Sequence, residues 1–253
     1  MPAAVSQIGA SECAVLRWHL RLRLLDRCRW AAPSFEELDL ARDCGVFPRS
    51  PEVLHRWAST YLQKLPLLDH CAVGLHPGES LVVGRFCAKA KRIAPRALES
   101  FFFTNPWSSA LRGKKVVVIH SFEDAIRQQY NRREEIWPRG AAAVLPRFDL
   151  RTIRAPSAAC RHDYPDSLSM LHGLESELER CRNTEGFDVA LIGCGAAGLP
   201  LAVRAKELGG IGIDLGPSLP LLFGIRGERE DRPEYRRFMN DAWGRPWVGE
   251  TPR

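Results

Sequence analysis

Short apolar runs alternate with stretches of helical apolar spacing along the second half of the chain. The run Val116–Ile119 predicts a buried strand, and Asp149–Arg154 predicts a further one. Between them, residues 122–137 predict a helix, with acidic residues in its first turn and arginines later, as the helix dipole favours. Ser167–Arg182 predicts an amphipathic helix. This alternation is typical of α/β proteins with a parallel sheet.

The first half of the chain carries weaker signals. Ser50 followed by Pro51 predicts the start of a helix that ends at Pro66. Residues 67–73 and 80–83 are short apolar runs that we interpret as strands, and residues 14–30 favour a helix rich in arginine and leucine. Residues 1–12 are predicted to be a disordered terminus.

The strongest pattern is a glycine-rich βαβ unit between Phe187 and Asp214. A strand over residues 189–192 precedes a turn with Gly193, Gly195 and Gly198, a helix over residues 199–208, and a second strand over residues 211–213. Glycine suits these positions because the chain must turn sharply, admit a ligand close to its backbone, and pack helix against strand. The free N–H groups at the helix start then form an anion site.

Asp214 stands at the carboxyl end of the second strand of this unit. It follows Gly193 by 21 residues, near the offset at which an acidic side chain binds a ribose hydroxyl. Fewer than 40 residues follow Asp214, whereas a dinucleotide domain usually begins with this unit. The other strands must therefore come from earlier in the chain. The alternative is that the glycines only close a strand-to-helix turn and bind nothing.

These elements predict a Rossmann-like α/β fold, with a mostly parallel sheet, helices on both faces and the glycine-rich unit late in the chain. We divide the sequence into an N-terminal helical extension, residues 1–42, and one α/β domain, residues 43–253, with 43–140 and 141–253 as its halves. His120 and Ser121 follow the Val116–Ile119 strand, where ligands of parallel sheets bind.

Composition and charge narrow the classes of partner. The net charge of +6 comes from scattered arginines, which favours a small anionic ligand over nucleic acid. The eight cysteines show no zinc spacing, and no segment is apolar enough to span a bilayer. We therefore predict free thiols and a cytoplasmic protein, with organellar targeting by the N-terminal helix as the alternative. Cys194 favours a space-filling role in the turn over a redox role.

Several segments together carry a resemblance to a known family. They are Pro106-Trp107, Gly113-Lys114-Lys115, Val116 to His120, Gln129-Tyr130, Phe187 to Ala196 and Leu222 to Gly227. Over residues 43–250 the chain resembles a group of mostly uncharacterised bacterial proteins related to the GT-D type glycosyltransferases. The resemblance implies a Rossmann-like domain with a late glycine-rich unit and a nucleotide-sugar donor.

In GT-D transferases an Asp-x-Glu pair just after the second strand of the unit holds the metal that bridges the diphosphate. The matching segment here, residues 217–222, has no carboxylate, and only Asp214 remains. We therefore predict no metal ligands for Mg²⁺ or Mn²⁺. The chain either binds a nucleotide-sugar through basic residues or is a degenerate relative.

The resemblance and the pattern together assign candidate roles. The turn with Gly193, Gly195 and Gly198 would bind the diphosphate, Asp214 a ribose or sugar hydroxyl, Arg226 the leaving phosphate, and His120, beside Ser121, would act as acid or base. Each has a structural alternative: a core histidine, a surface arginine, a capping aspartate. The expected function is a nucleotide-sugar dependent glycosyltransferase. The alternatives are a non-catalytic nucleotide-binding or interaction protein, and an enzyme that uses NAD or S-adenosylmethionine.

Overall fold

A seven-stranded sheet organises the chain. The structure, a computed structural model, describes residues 1–24, 45–48, 50–74, 76–137, 141–156, 163–226 and 232–244. The strands are β1 (Ala3–Gln7), β2 (His70–Ala72), β3 (Lys91–Ile93), β4 (Lys115–His120), β5 (Asp149–Arg154), β6 (Val189–Gly193) and β7 (Ile211–Asp214). They lie in the order β3-β2-β1-β7-β6-β4-β5, and all neighbouring pairs are parallel. The predicted fold class is confirmed.

Helices cover both faces of the sheet. They are α1 (Ala10–Leu24), α2 (Pro51–Lys64), α3 (Glu79–Phe86), α4 (Glu123–Asn131), α5 (Arg133–Ile136), α6 (Ala141–Val144), α7 (Ser167–Thr184), α8 (Gly198–Glu207), α9 (Ser218–Leu222) and α10 (Pro233–Arg236). Short 3-10 turns occupy Leu65–Leu67, Pro95–Leu98, Ser100–Phe102, Trp107–Leu111 and Gly195–Ala197. No helix in these described ranges is long and apolar enough to cross a membrane.

The alternation of side chains along β4 separates the two layers. Val117 packs in one core cluster with Leu171 of α7 and Leu201 of α8. Val118, on the opposite side of the strand, packs in another cluster with Ile126 of α4. Helices α1, α2 and α3 share a third cluster with the other side of α8. The first layer therefore holds α1–α3, α7 and α8, and the second holds α4–α6, α9 and α10.

The glycine-rich unit β6-α8-β7 lies at the centre of the sheet, although it comes late in the chain. Its neighbours are β4 beside β6 and β1 beside β7, and both come from earlier residues. The inference that the remaining strands precede the unit is confirmed. The half β3-β2-β1 has the order of the first half of a classic dinucleotide-binding sheet, whereas the other half, β7-β6-β4-β5, is connected differently.

The prediction of a disordered terminus over residues 1–12 is wrong. Residues 3–7 form β1 between β2 and β7, and Ala4 and Ser6 are fully buried there. The segment Ala-Ala-Val-Ser-Gln lacks the large apolar residues that mark a strand, and it is held by pairing on both sides. The predicted boundary at residue 42 and the end of the predicted helix over residues 14–30 lie outside the described residues.

The strand predicted over residues 80–83 is also wrong, because these residues belong to α3. Val82 and Val83 are both buried, whereas Leu81 is 67% exposed. Two adjacent buried residues do not fit the alternation of a strand, but they fit one side of a helix. A run of four apolar residues is too short to distinguish these periods.

Helix α8 lies close against β7 because Gly212 has no side chain. A Cβ atom at Gly212 would lie 2.1 Å from the carbonyl oxygen of Ala202 in α8. The obstacle is backbone rather than a flexible side chain, so helix and strand would have to separate. This approach sets the position of the α8 N-terminus over the sheet.

We expect Gly212→Ala to lower the free energy of unfolding by more than about 2 kcal/mol, because the backbone atoms that the added methyl group meets can move only with the whole helix. Gly84→Ala is the control: a Cβ at Gly84, an exposed position of α3, would meet no atom within 4 Å. That change should raise the free energy of unfolding by about 0.5–1 kcal/mol. Urea denaturation measures both, and equal effects would contradict the packing argument.

Candidate functional site

The carboxyl ends of β4 and β6 mark the place where we expect the ligand crevice of this sheet. Helix α4 follows β4 in one layer, and α8 follows β6 in the other. The chain therefore leaves these neighbouring strands in opposite directions, which is where open α/β sheets bind ligands. His120 ends β4 and pairs in register with Gly193, which ends β6.

The turn after β6 begins at this edge and leads into α8. Gly195 has a φ of 57°, in the left-handed region that favours glycine, and a 3-10 turn then leads into α8 at Gly198. The N-cap residue of α8, Ala197, makes no side-chain capping hydrogen bond. The N–H groups of Ala197 and Gly198 donate to the carbonyls of Cys194 and Gly195, and Pro200 has no N–H. The first turn of α8 therefore keeps the N–H of Leu199 as its donor to an anion.

Two glycines of the turn let functional side chains approach. A Cβ at Gly193 would lie 2.8 Å from Cδ2 of His120 and 2.9 Å from the carbonyl oxygen of Gly216. A Cβ at Gly198 would lie 2.5 Å from Oδ1 of Asp214. The structure therefore brings the predicted residues His120, Gly193, Gly198 and Asp214 together around one turn, with Gly195 between them in sequence.

Buried His120 has a defined orientation. The backbone N–H of Phe122 donates to its Nδ1 at 2.9 Å, and the two rings lie 4.8 Å apart. The side chain is only 7% exposed, and this burial lowers the pKa of His120 to about 4. The imidazole is therefore neutral at neutral pH. Ser121 is half-buried beside it.

Asp214 is buried beneath the turn and bonded through both oxygens. The Ser6 hydroxyl donates to Oδ2 at 2.8 Å, and the N–H of Gly216 donates to Oδ1 at 3.1 Å. Burial raises the pKa of Asp214 to about 7, against the lowering effect of these two hydrogen bonds, and the nearby Glu12 carboxylate raises it further. A substantial share of Asp214 is thus protonated at neutral pH.

Cys194 lies in the turn between the first two glycines. Burial, followed by the negative charge of Asp214, raises the pKa of the Cys194 thiol. The thiolate is the reactive form of cysteine, so this residue is inert at neutral pH. This agrees with a space-filling role in the turn.

Arg226 contacts another part of the molecule. Its Nη2 donates to the carbonyl of Asn240 at 3.1 Å, and its backbone N–H donates to Gly244 at 2.8 Å. The Asn240 side chain in turn bonds the carbonyls of Glu135 and Ile136. These contacts join Arg226 to the chain around α5 and not to the glycine turn.

Three residues at this edge were not predicted as site residues from the sequence. Arg154 ends β5 opposite His120, and its guanidinium donates to Glu123 at 2.8 Å and to Asp124 at 2.6 Å. Ser6 and Glu12 belong to β1 and α1. Their roles depend on which strands are neighbours, and that order gives no local signal in the sequence.

Among the residues that the structure describes, no group of three or more His, Cys, Asp or Glu side chains is arranged to hold a metal ion. In comparisons with known proteins, no family model, no curated protein and no solved structure matches the chain.

The raised pKa of Asp214 predicts a pH-dependent stability. Between about pH 4 and pH 7 the folded state holds a proton that the unfolded state has released, so the free energy of unfolding should fall as pH rises through this window. The fall is about 4 kcal/mol for a shift of about three pKa units. In Asp214→Asn the side chain can still bond Ser6 and Gly216, but it cannot ionise. The free energy of unfolding of this variant should therefore not fall over this pH window.

Urea denaturation of both proteins at several pH values measures this difference. Asp241→Asn, the same change at an exposed carboxylate, should follow the unaltered protein at every pH. Parallel curves for Asp214→Asn and the unaltered protein would show that Asp214 ionises normally in the fold.

Proposed function

We propose that the protein binds the diphosphate of a nucleotide-sugar at the Gly193–Gly198 turn and transfers the sugar to an acceptor hydroxyl. The observation that carries the proposal is the glycine turn that leads from β6 into the N-terminus of α8, beside the carboxyl ends of β4 and β6. The resemblance to GT-D type proteins supports the choice of a nucleotide-sugar over other nucleotides.

The turn suits a diphosphate for steric and electrostatic reasons. Gly195 has no side chain to separate phosphate oxygens from the backbone, and its positive φ turns the chain toward α8. The dipole of α8 places partial positive charge at its start, around the N–H of Leu199, and this charge attracts an anionic group. Asp214, which would repel an anion when ionised, has a pKa of about 7 and is partly neutral.

The transfer step balances without a metal ion. The bond between the anomeric carbon and the diphosphate oxygen breaks, and its electron pair leaves with the nucleoside diphosphate. The acceptor oxygen forms the new bond to the anomeric carbon, and its proton passes to the Asp214 carboxylate. A base with a pKa near the working pH suits this role, and Asp214 lies against Gly198 beneath the proposed diphosphate site.

The second candidate function is nucleotide binding without catalysis. It is favoured by the two hydrogen bonds that Asp214 already accepts from Ser6 and Gly216. A carboxylate engaged in this way serves as a structural acceptor. Binding and turnover must therefore be measured separately.

The binding prediction concerns Gly195. In a thermal-shift titration with UDP-, GDP- and dTDP-sugars, NAD and S-adenosylmethionine, one nucleotide-sugar should stabilise the unaltered protein. At 100 times its dissociation constant the gain is about 2.7 kcal/mol. Gly195→Val should abolish the gain, because the side chain occupies the phosphate position and strains a φ of 57°.

Gly113→Val is the matched control. Gly113 has a φ of 69° and precedes β4, at the opposite edge of the sheet. The Gly113→Val variant carries the same kind of backbone strain, but the nucleotide-sugar should still stabilise it as much as it stabilises the unaltered protein. Stabilisation by NAD or S-adenosylmethionine instead of a nucleotide-sugar would show that the ligand belongs to another class. If no ligand tested stabilises the protein, nucleotide binding at the turn is contradicted.

The turnover prediction concerns Asp214. The unaltered protein should release nucleoside diphosphate from the bound nucleotide-sugar, with sugars or water as acceptor. Asp214→Asn should bind the donor but release it at least about 100-fold more slowly, as expected on removing a general base. A donor that binds tightly and is never consumed by the unaltered protein would favour the binding-only function.

A further inference from the structure

The two ring nitrogens of His120 have different surroundings. Nδ1 accepts a hydrogen bond from the backbone N–H of Phe122, so Nδ1 carries a lone pair and not a proton. In a neutral imidazole the proton must then be on Nε2. The backbone of the β4-α4 connection therefore fixes the tautomer of His120.

The same contact fixes the direction of the ring. Cδ2, the atom bonded to Nε2, faces Gly193 so closely that a Cβ there would lie 2.8 Å away. Nε2 is one bond further along this edge of the ring, on the side away from Nδ1. The N–H of Nε2 therefore lies on the side of the ring nearest the first residue of the glycine turn, and the hydrogen bond found for this ring among the described residues is the one at Nδ1.

We propose that His120 is a positioning residue whose Nε2–H donates a hydrogen bond to a phosphate oxygen held at the glycine turn, and that it is not an acid or base. The inference rests on the proposed function for the presence of a diphosphate. It assigns His120 a role different from the one expected from the sequence. A Nε2 atom that already carries a proton cannot accept another, and Nδ1 is occupied.

The arrangement suits an oxyanion for a further reason. A neutral donor held by burial and by the Phe122 backbone needs no reorientation when the ligand binds. His120 would contact the phosphate from the β4 side of the crevice. The start of α8 would contact the same phosphate from the β6 side. Gly193 must be glycine for the ring to reach this position.

Two substitutions separate the roles of the nitrogens. His120→Asn places an amide oxygen near the Nδ1 position and keeps an acceptor for Phe122, but it loses the donor at the Nε2 position. His120→Gln places an amide group near the Nε2 position and loses the acceptor. Inorganic pyrophosphate is the probe, with sodium sulfate at equal ionic strength as the control anion.

The first measurement is a long-range ¹H–¹⁵N correlation spectrum of the ¹⁵N-histidine-labelled full chain. We expect His120 in the Nε2–H tautomer, and we expect pyrophosphate, but not sulfate, to shift the Nε2–H proton and slow its exchange with solvent. The Nδ1–H tautomer in the ligand-free protein would overturn the proposal, and it does so without any variant having to fold.

The second measurement is pyrophosphate affinity by calorimetry. His120→Asn should lose about ten- to hundredfold in affinity, as for a hydrogen bond to a charged group, while His120→Gln should retain more of it. Equal affinity of His120→Asn and the unaltered protein would overturn the donor role alone. If the unaltered protein does not bind pyrophosphate, the donor role fails; if it also binds no nucleotide-sugar, the proposed function fails with it.

Discussion

The close approach of α8 to the centre of the sheet is the constraint on which the rest of the structure depends. Gly212 lets the helix lie on β7, and Gly198 lets the Asp214 carboxylate lie against the helix start. A side chain at Gly212 would separate the helix from the sheet, and one at Gly198 would displace the Asp214 carboxylate. Because the helix is held there, its N-terminus lies at the carboxyl edge of the sheet, directly after β6 and the glycine turn.

Burial favours the neutral form of three side chains around this crevice. It lowers the pKa of His120 to about 4 and raises the pKa of Asp214 to about 7 and that of the Cys194 thiol. In all three cases desolvation favours the neutral form. The N–H of Leu199 at the start of α8 and the N–H of His120 are then little opposed by negative charge from these three groups, which suits a phosphate group. Asp214 gains negative charge only as pH rises through neutrality.

The same glycine turn serves both functions that we consider, and Asp214 distinguishes them. Its raised pKa suits a base in sugar transfer, whereas its hydrogen bonds from Ser6 and Gly216 suit a structural acceptor. His120 contributes to binding in both cases, because a donor to phosphate has the same geometry whether or not the sugar is transferred.

Local patterns in the sequence predicted the elements whose signal lies within a few residues. The βαβ unit, the strand Asp149–Arg154 and the cap at Ser50 are confirmed because glycine spacing, apolar runs and capping oxygens act locally. The short run Ser80–Val83 was misassigned because four residues do not define a period. Residues 3–7 were missed because a strand paired on both sides needs few apolar side chains.

The sequence by itself thus determined the glycine turn, its helix and the presence of His120 and Asp214 at strand ends. Only the tertiary structure decided which of these residues meet. The order of strands in a sheet is set by long-range packing, and it placed β4 beside β6, β1 beside β7, and Arg226 near α5. Burial, which sets the protonation of His120 and Asp214, follows from that packing and not from any property of the neighbouring residues in the chain.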